Sequence, residues 1–417
     1  MKGWASPPLR GNTQGLCSCG DFQVKLKILK FLDIAIEYSV YGIIFFIPTS
    51  IAALNIFAGI AIALFLFKKT LSADFNSIKS NKILFFFLSL FFIFMALSLF
   101  NSGPFFTKSL NALLIKWGRG FLLLWIILDT FTDTRRITKA LLFLLFSATL
   151  VGFSVFSQKF FGRELLRGRP LVGLSVTGPF ENQNGLAAYL TSVIPIILSF
   201  VLWKRKQIAV QLLLVLVTIM LIASSLWTNC RGAWVGLISG LFFVILITTY
   251  HRVKKWSRIM FFSFFIFCIP LIAFALFFLH NRQDSNRFIL TRGAWNMIKE
   301  NPFLGKGVGT FMDYCNHYVN GFGVYYAHNC FLQIWAESGI FSLLSFILFT
   351  GYVIYKSIKV TLKIPSSLNF FLLTGLTAGL LGFLIHSFFD VHLYSLQLSF
   401  LFWVVLGLTA ASSRSTV

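Results

Sequence analysis

The chain has 417 residues, of which 57% are hydrophobic and 52 are phenylalanine. Its mean hydropathy of +0.81 excludes a soluble globule, which would leave far too much apolar surface against water. The net charge of +23 points to anionic partners, either lipid headgroups or a phosphate-bearing substrate; nucleic acid is set aside because the basic residues fall in short segments between apolar runs.

Runs of about 20 apolar residues are long enough to cross a hydrocarbon core. They predict an all-α, polytopic integral membrane protein, whereas a β-barrel would show short alternating strands. Residues 1–30 are expected to form a cytoplasmic tail, since basic residues there bracket a polar stretch without the apolar core of a signal peptide. Twelve spans follow, at 32–48, 50–67, 83–101, 111–131, 138–157, 184–203, 208–227, 233–250, 258–279, 330–355, 368–386 and 395–412. The basic segments 68–82, 134–139, 204–206, 251–258 and 356–363 then share one side, which the positive-inside rule assigns to the cytoplasm. The membrane domain is expected over 31–412, with a short cytoplasmic tail at 413–417. Cys17 and Cys19 have no second pair at zinc-site spacing, and Cys230, Cys268, Cys315 and Cys330 are expected to pack as small apolar residues. Neither a disulfide, a metal nor a cofactor is expected.

Two long loops, 158–183 and 280–329, fall on the opposite, outer side, and both carry arginines where the rule disfavours them. The first holds Lys159, Arg163, Arg167 and Arg169 against Glu164, and it reads equally well as an amphipathic segment resting on headgroups. It closes on Asn182 and Asn184, which suit a helix cap or a polar ligand at that helix end. Arg231 sits between two closely joined spans with no acidic residue nearby in sequence, so it must snorkel or bind an anion. In the second loop, residues 286–299 predict a helix with Phe288, Ile289, Trp295 and Ile298 as its apolar stripe and Arg287 and Arg292 beside it. Gly305, Gly307 and Gly309 around Lys306 lack the spacing of a Walker A motif and predict a tight turn instead.

The stretch AHNCFLQIWAESG (327–339) opens the tenth span. Asn329, Gln333 and Glu337 follow at four-residue intervals and share one helix face. They form either a cap with a polar seam or the wall of an outer cavity. In the second case His328 can take a proton and the helix N-terminus favours an anion. His386, Asp390 and His392, near the end of the eleventh span, are expected mainly to close the loop, with the alternative that they complete the polar lining.

Twelve spans, RGAW at 231–234, an arginine ahead of MIKENPFLGKGVGTF, and HNCFLQIWAESG together resemble the O-antigen ligase family, related to O-antigen polymerases and bacterial protein O-oligosaccharyltransferases. PFENQNGLAAYL resembles that family's Asn-led span, with Gln183 in place of a common proline; in its R-x-x-x-W pattern the arginine falls on Arg287, Thr291 replaces the tryptophan, and Arg292 is a rival. The resemblance implies a GT-C-type, metal-independent, inverting glycosyltransferase at the inner membrane with its site facing the periplasm. The implied donor is a glycan on undecaprenyl pyrophosphate and the implied acceptor lipid A–core, for lipopolysaccharide biosynthesis. It implies catalytic roles for His328, Arg287 and Arg231, and substrate binding by Asn184, Arg169, Arg292 and Asn329, amid membrane lipids.

The alternatives are a polymerase or a protein O-oligosaccharyltransferase using the same donor, or a transporter of lipid-linked saccharide. A transporter should show mid-membrane ionisable residues and internal repeats, and neither stands out clearly; Asp33 and Glu37 lie in the first span. The topology is checked by Gly168→Cys and Gly321→Cys in a chain lacking its native cysteines. Both positions should react with an impermeant thiol reagent in intact spheroplasts; labelling only after lysis would invert the orientation.

Overall fold

A computed structural model describes residues 14–203, 207–250, 285–319 and 326–414. The helices are α1 (Gln14–Phe46), α2 (Ile51–Ser72), α3 (Lys82–Ser98), α4 (Gly118–Thr130), α5 (Thr134–Phe161), α6 (Gln183–Leu202), α7 (Ile208–Trp227), α8 (Arg231–Tyr250), α9 (Ser285–Glu300), α10 (Phe311–Tyr318), α11 (Cys330–Thr361), α12 (Leu368–His386) and α13 (Leu396–Ser412). Their starts follow the sequence. Ser50, Asp133, Asn182, Asn329 and Ser367 each cap a helix by accepting a backbone N–H through the side chain.

Among the described residues, nine helices are long and apolar enough to cross a membrane, and the 17-residue α13 is a shorter apolar helix. The chain is thus polytopic and helical, and the expected count of twelve is not reached within these residues; the expected span 258–279 lies outside them. Several boundaries differ from expectation. α1 already begins at Gln14, so half of the segment expected as a tail is helical. α5 runs on to Phe161 and stops at Gly162, whose φ of 79° closes the helix, so the first long loop is shorter than predicted. α11 extends to Thr361 but breaks at Gly339 (φ 80°), where an added Cβ would overlap the Phe303 carbonyl. The segment expected as span 111–131 contains a π-helical turn, Ala112–Trp117, ahead of α4.

α12 packs closely on α6 and α8, and α13 against α4. Small residues permit the approach: a Cβ on Gly236 would stand 2.5 Å from the Gly382 carbonyl oxygen, and one on Gly379 would overlap the Ser192 oxygen. The first-span acids are both paired: Asp33 with Lys68 at 2.6 Å, and Glu37 with Arg136 at 3.1 Å and Tyr41 Oη at 2.6 Å.

The loop after α9 is fixed to α11. Lys306 and Gly307 donate backbone N–H groups to the carbonyls of Ala336 and Glu337, and Gly305, Gly307 and Gly309 all have positive φ, as a tight turn requires. α9 forms where predicted, but its buried stripe is Leu290, Ala294, Met297 and Ile298; Phe288 and Trp295 are exposed. α10 and the kinked start of α11 cover the stripe, and that choice of face could not be read from a helix whose opposite sides are both partly apolar.

Gly382→Leu should separate α8 from α12 and reduce monodisperse detergent-solubilised protein, because overpacking a closed interface costs about 1–3 kcal/mol or more. Gly351→Leu, where a Cβ meets nothing within 4 Å, is the control and should behave as the parent. Equal yields for both variants would contradict the glycine interface.

Candidate active site

The site forms where the start of α11, the start of α6 and the turn between α12 and α13 meet. Asn329 caps α11, its Oδ1 accepting from Phe331 and Leu332 N–H, each at 3.0 Å. The residue before it, His328, lies in the left-handed region at φ 51°. That conformation costs a non-glycine residue roughly 1 kcal/mol and persists only where the surroundings impose it. Here the Ala327 N–H bond to Gln333 Oε1 on one side, and the Asn329 cap with the Cys330 N–H donated to the Ser387 carbonyl on the other, hold the backbone.

The strained backbone sets His328 Nδ1 at 3.2 Å from Asp390 Oδ1. Asp390 Oδ1 also accepts from Val391 N–H at 2.8 Å, and Oδ2 accepts from Asn184 Nδ2 at 2.7 Å. Burial pushes the Asp390 carboxyl up, but the His328 hydrogen bond and the neighbouring rings of His392 and His328 outweigh it, so the group is held well below the usual carboxylate range. An anionic Asp390 can only accept. It therefore fixes the proton on His328 Nδ1 and leaves Nε2 as the ring's acceptor.

His328, Asp390 and Asn184 line a cavity of about 560 Å³ with Glu181, Tyr326 and Tyr394. At the cavity's edge Tyr394 Oη donates to Glu337 Oε2 at 3.0 Å; burial, then the Glu337 charge, pushes this phenol well above its ordinary value. Glu337 is 1% exposed and also accepts from Gly309 N–H at 2.8 Å, Phe311 N–H at 3.3 Å and Gln333 Nε2 at 3.1 Å. Gln333 in turn accepts from the Ala327 N–H at 3.2 Å. The polar run along α11 is thus a chain of bonds from the Gly309 loop to the residue preceding His328.

The two arginines expected to be catalytic flank this turn without lining the cavity. Arg287, half-buried on α9, donates from Nη1 to the Phe389 carbonyl at 3.2 Å, one residue before Asp390. Arg231 is exposed at the start of α8; a Cβ on its neighbour Gly232 would stand 2.5 Å from Phe389 Cβ. Both arginines have further interactions with the protein. Of the residues expected to bind substrate, Asn184 is at the centre. Asn329 serves as a helix cap, and Arg169 Nη1 holds the Phe180 carbonyl at 3.0 Å beside the cavity wall. Arg292 is exposed on α9 and away from the cavity lining. Near the same turn, burial pushes the Cys230 thiol up to about 11, and its Sγ lies 3.4 Å from His386 Nε2.

The Asp390–His328 pairing is the feature that sequence reading missed. The signal was an aspartate between two histidines at the end of an apolar span, since an acid there has to be paired. Glu181, Tyr326 and Tyr394 carried no such signal.

Burial holds His392 down to about 4, against a partial upward pull from Asp390, and its Nε2 is buried without a hydrogen-bond partner. The unfolded chain, with a value near 6.5, then binds one more proton between those limits. This contribution to stability is complete above about pH 6.5 and declines as pH falls towards 4, by up to about 3 kcal/mol. Thermal unfolding of the solubilised protein between those limits should show this slope, and His392→Phe should flatten it. An unchanged slope in that variant would remove His392 as the cause.

Residues 216–347 match the family model described as O-Antigen ligase. A relative from Bacillus subtilis (strain 168), teichuronic acid biosynthesis protein TuaE, is 26% identical over 263 residues, covering 57% of this chain and 51% of the relative. The chain thus spans about half the length of that curated relative. The matched segment contains Arg231, Arg287 and His328, while Asn184 and Asp390 lie outside it. Over this segment, the resemblance to the O-antigen ligase family expected from the motifs is established.

Proposed function

We propose that this protein is a membrane glycosyltransferase that moves a glycan from a lipid pyrophosphate donor to an acceptor hydroxyl. The observation that carries the reading is the His328–Asp390–Asn184 constellation in a cavity at the end of the membrane bundle. His328 Nε2 takes the acceptor hydroxyl proton as the oxygen attacks the anomeric carbon from the face opposite the leaving group. The bond from that carbon to the pyrophosphate oxygen breaks, its electron pair leaves with the pyrophosphate, and the configuration inverts. Asp390 orients the imidazole and stabilises the imidazolium that forms.

Negative charge develops on the pyrophosphate, so fixed positive charge must face it. Arg287 and Arg231, on two sides of the turn that carries Asp390, supply that charge in a metal-independent GT-C-type reaction, and guanidinium forks suit phosphate oxygens. Asn184 acts through Asp390. Arg169 and Asn329 shape the walls, and Arg292 is left as a peripheral donor contact. In this reading the donor is carried by undecaprenyl pyrophosphate, the acceptor is lipid A–core, and the cavity faces the periplasm from a bacterial inner membrane. A second reading places the acceptor on another lipid-linked glycan, so that the enzyme extends a polymer. It is favoured by the likeness to a protein named for teichuronic acid biosynthesis.

Purified protein supplied with lipid-linked glycan, with and without lipid A–core, separates the two: ligation needs the acceptor, and self-extension of the donor does not. In the productive assay His328→Ala should lose about 10²–10⁴ in rate at normal membrane levels while still binding donor. Arg231→Ala and Arg287→Ala should each cost roughly 3 kcal/mol of transition-state stabilisation, and lysine should not restore it. Glu337→Ala should instead deplete folded protein. Normal transfer by His328→Ala would leave charge stabilisation alone to do the chemistry, and its disappearance from the membrane would make the residue a structural cap.

A further inference from the structure

The basic run 356–363 enters the sequence reading only as an orientation signal, and glycan transfer makes no use of it. In the structure it forms a groove. At the C-terminal end of α11, Tyr352, Tyr355, Lys356, Lys359, Val360 and Lys363 line a space of about 580 Å³. Lys359 Nζ stands 5.7 Å from the Tyr355 ring centre, and Lys356 is half-buried. The groove and the candidate active site lie at opposite ends of this 32-residue helix.

The charge balance at this end is uneven. Lys68 and Lys69 close on Asp129 at 2.7 and 2.6 Å. Arg414, which donates to the Ser80 hydroxyl at 3.1 Å, lies close enough to act electrostatically on both Asp129 and Lys356. The nearby carboxylate is therefore taken by α2. Among the described residues, Lys356, Lys359 and Lys363 pair with no acid. Snorkelling accounts for the exposed Lys359 and Lys363. It does not account for Lys356, half-buried in the same groove with no acid beside it among the described residues, whose charge an anion in the groove would meet.

We propose that this groove binds the phosphate headgroup of an acidic phospholipid in the leaflet opposite the active-site cavity. A lipid fits better than free phosphate because the lysines are set in an amphipathic wall. Tyr352 and Tyr355 suit the membrane–water boundary, and the exposed Leu344, Ile347 and Leu348 continue α11 towards the hydrocarbon, where acyl chains would lie. The inference is independent of the glycan chemistry.

The test places the full chain in nanodiscs of phosphatidylcholine, alone, with added phosphatidylglycerol, or with inorganic phosphate in the buffer. Thermal stability and lipid retained in native mass spectrometry are read for each. Phosphatidylglycerol should stabilise the parent protein and stay bound, and inorganic phosphate should do neither. Lys356→Gln/Lys359→Gln/Lys363→Gln should weaken retention on the order of 100-fold, and Lys359→Gln alone, at an exposed position, by roughly fivefold. Lys79→Gln/Lys82→Gln/Arg135→Gln removes the same charge from exposed positions elsewhere and should retain the lipid. Equal loss in both triple variants would reduce the effect to overall charge and overturn the site. Stabilisation by inorganic phosphate as large as by phosphatidylglycerol would overturn the lipid assignment, and identical behaviour of the parent in both lipid mixtures would overturn the proposal even if the triple variant fails to fold.

Discussion

One half-buried carboxylate, Asp390, organises the site. Asp390 accepts from Asn184 at the start of α6, from Val391 in its own turn, and meets His328 ahead of α11. An aspartate at the end of a membrane bundle is tolerable only when such partners meet its charge. Satisfying them draws residues more than 200 positions apart in sequence into one cluster. In the proposed reaction the same bonds also serve the chemistry, because the carboxylate that satisfies Asn184 also selects the tautomer of His328.

A second acid, Glu337, is fully buried and ties several segments together. Glu337 gathers two backbone N–H groups from the glycine-rich turn and α10, one side-chain amide and one phenol. It ties the loop after α9 to α11 two residues before the Gly339 kink, and through Gln333 it reaches the backbone at Ala327. The two acids divide the labour, Glu337 fixing where α11 begins and Asp390 fixing what the residue before that start presents to the cavity. The positive φ of His328 marks where the two constraints meet.

The legible parts of this architecture were local. Apolar runs placed most helices, Asn182 and Asn329 were legible as caps, and the four-residue spacing put Asn329, Gln333 and Glu337 along one face. His328 stood out because a histidine at a span start is rare and chemically useful. The burial of α9 was misjudged because Phe288 and Trp295 are as apolar as the residues that pack, and the positions of α10 and α11 decide between the faces. The partner of His328 was hidden for a different reason: the pairing joins residues 62 apart across a helix and a turn, and no periodicity encodes it. Arg231 and Arg287 were legible as unusual charges but not as neighbours of one turn.

The central claim is that His328 moves the acceptor proton while Asp390 holds it in place, and chemical rescue tests this most directly. In His328→Gly the backbone keeps a residue suited to positive φ, so the cap geometry survives while the imidazole is removed. Added imidazole should restore glycan transfer in a concentration-dependent way, and the rescued rate should fall again when Asp390→Asn is combined with it. Transfer by His328→Gly at the parent rate without imidazole would contradict the account.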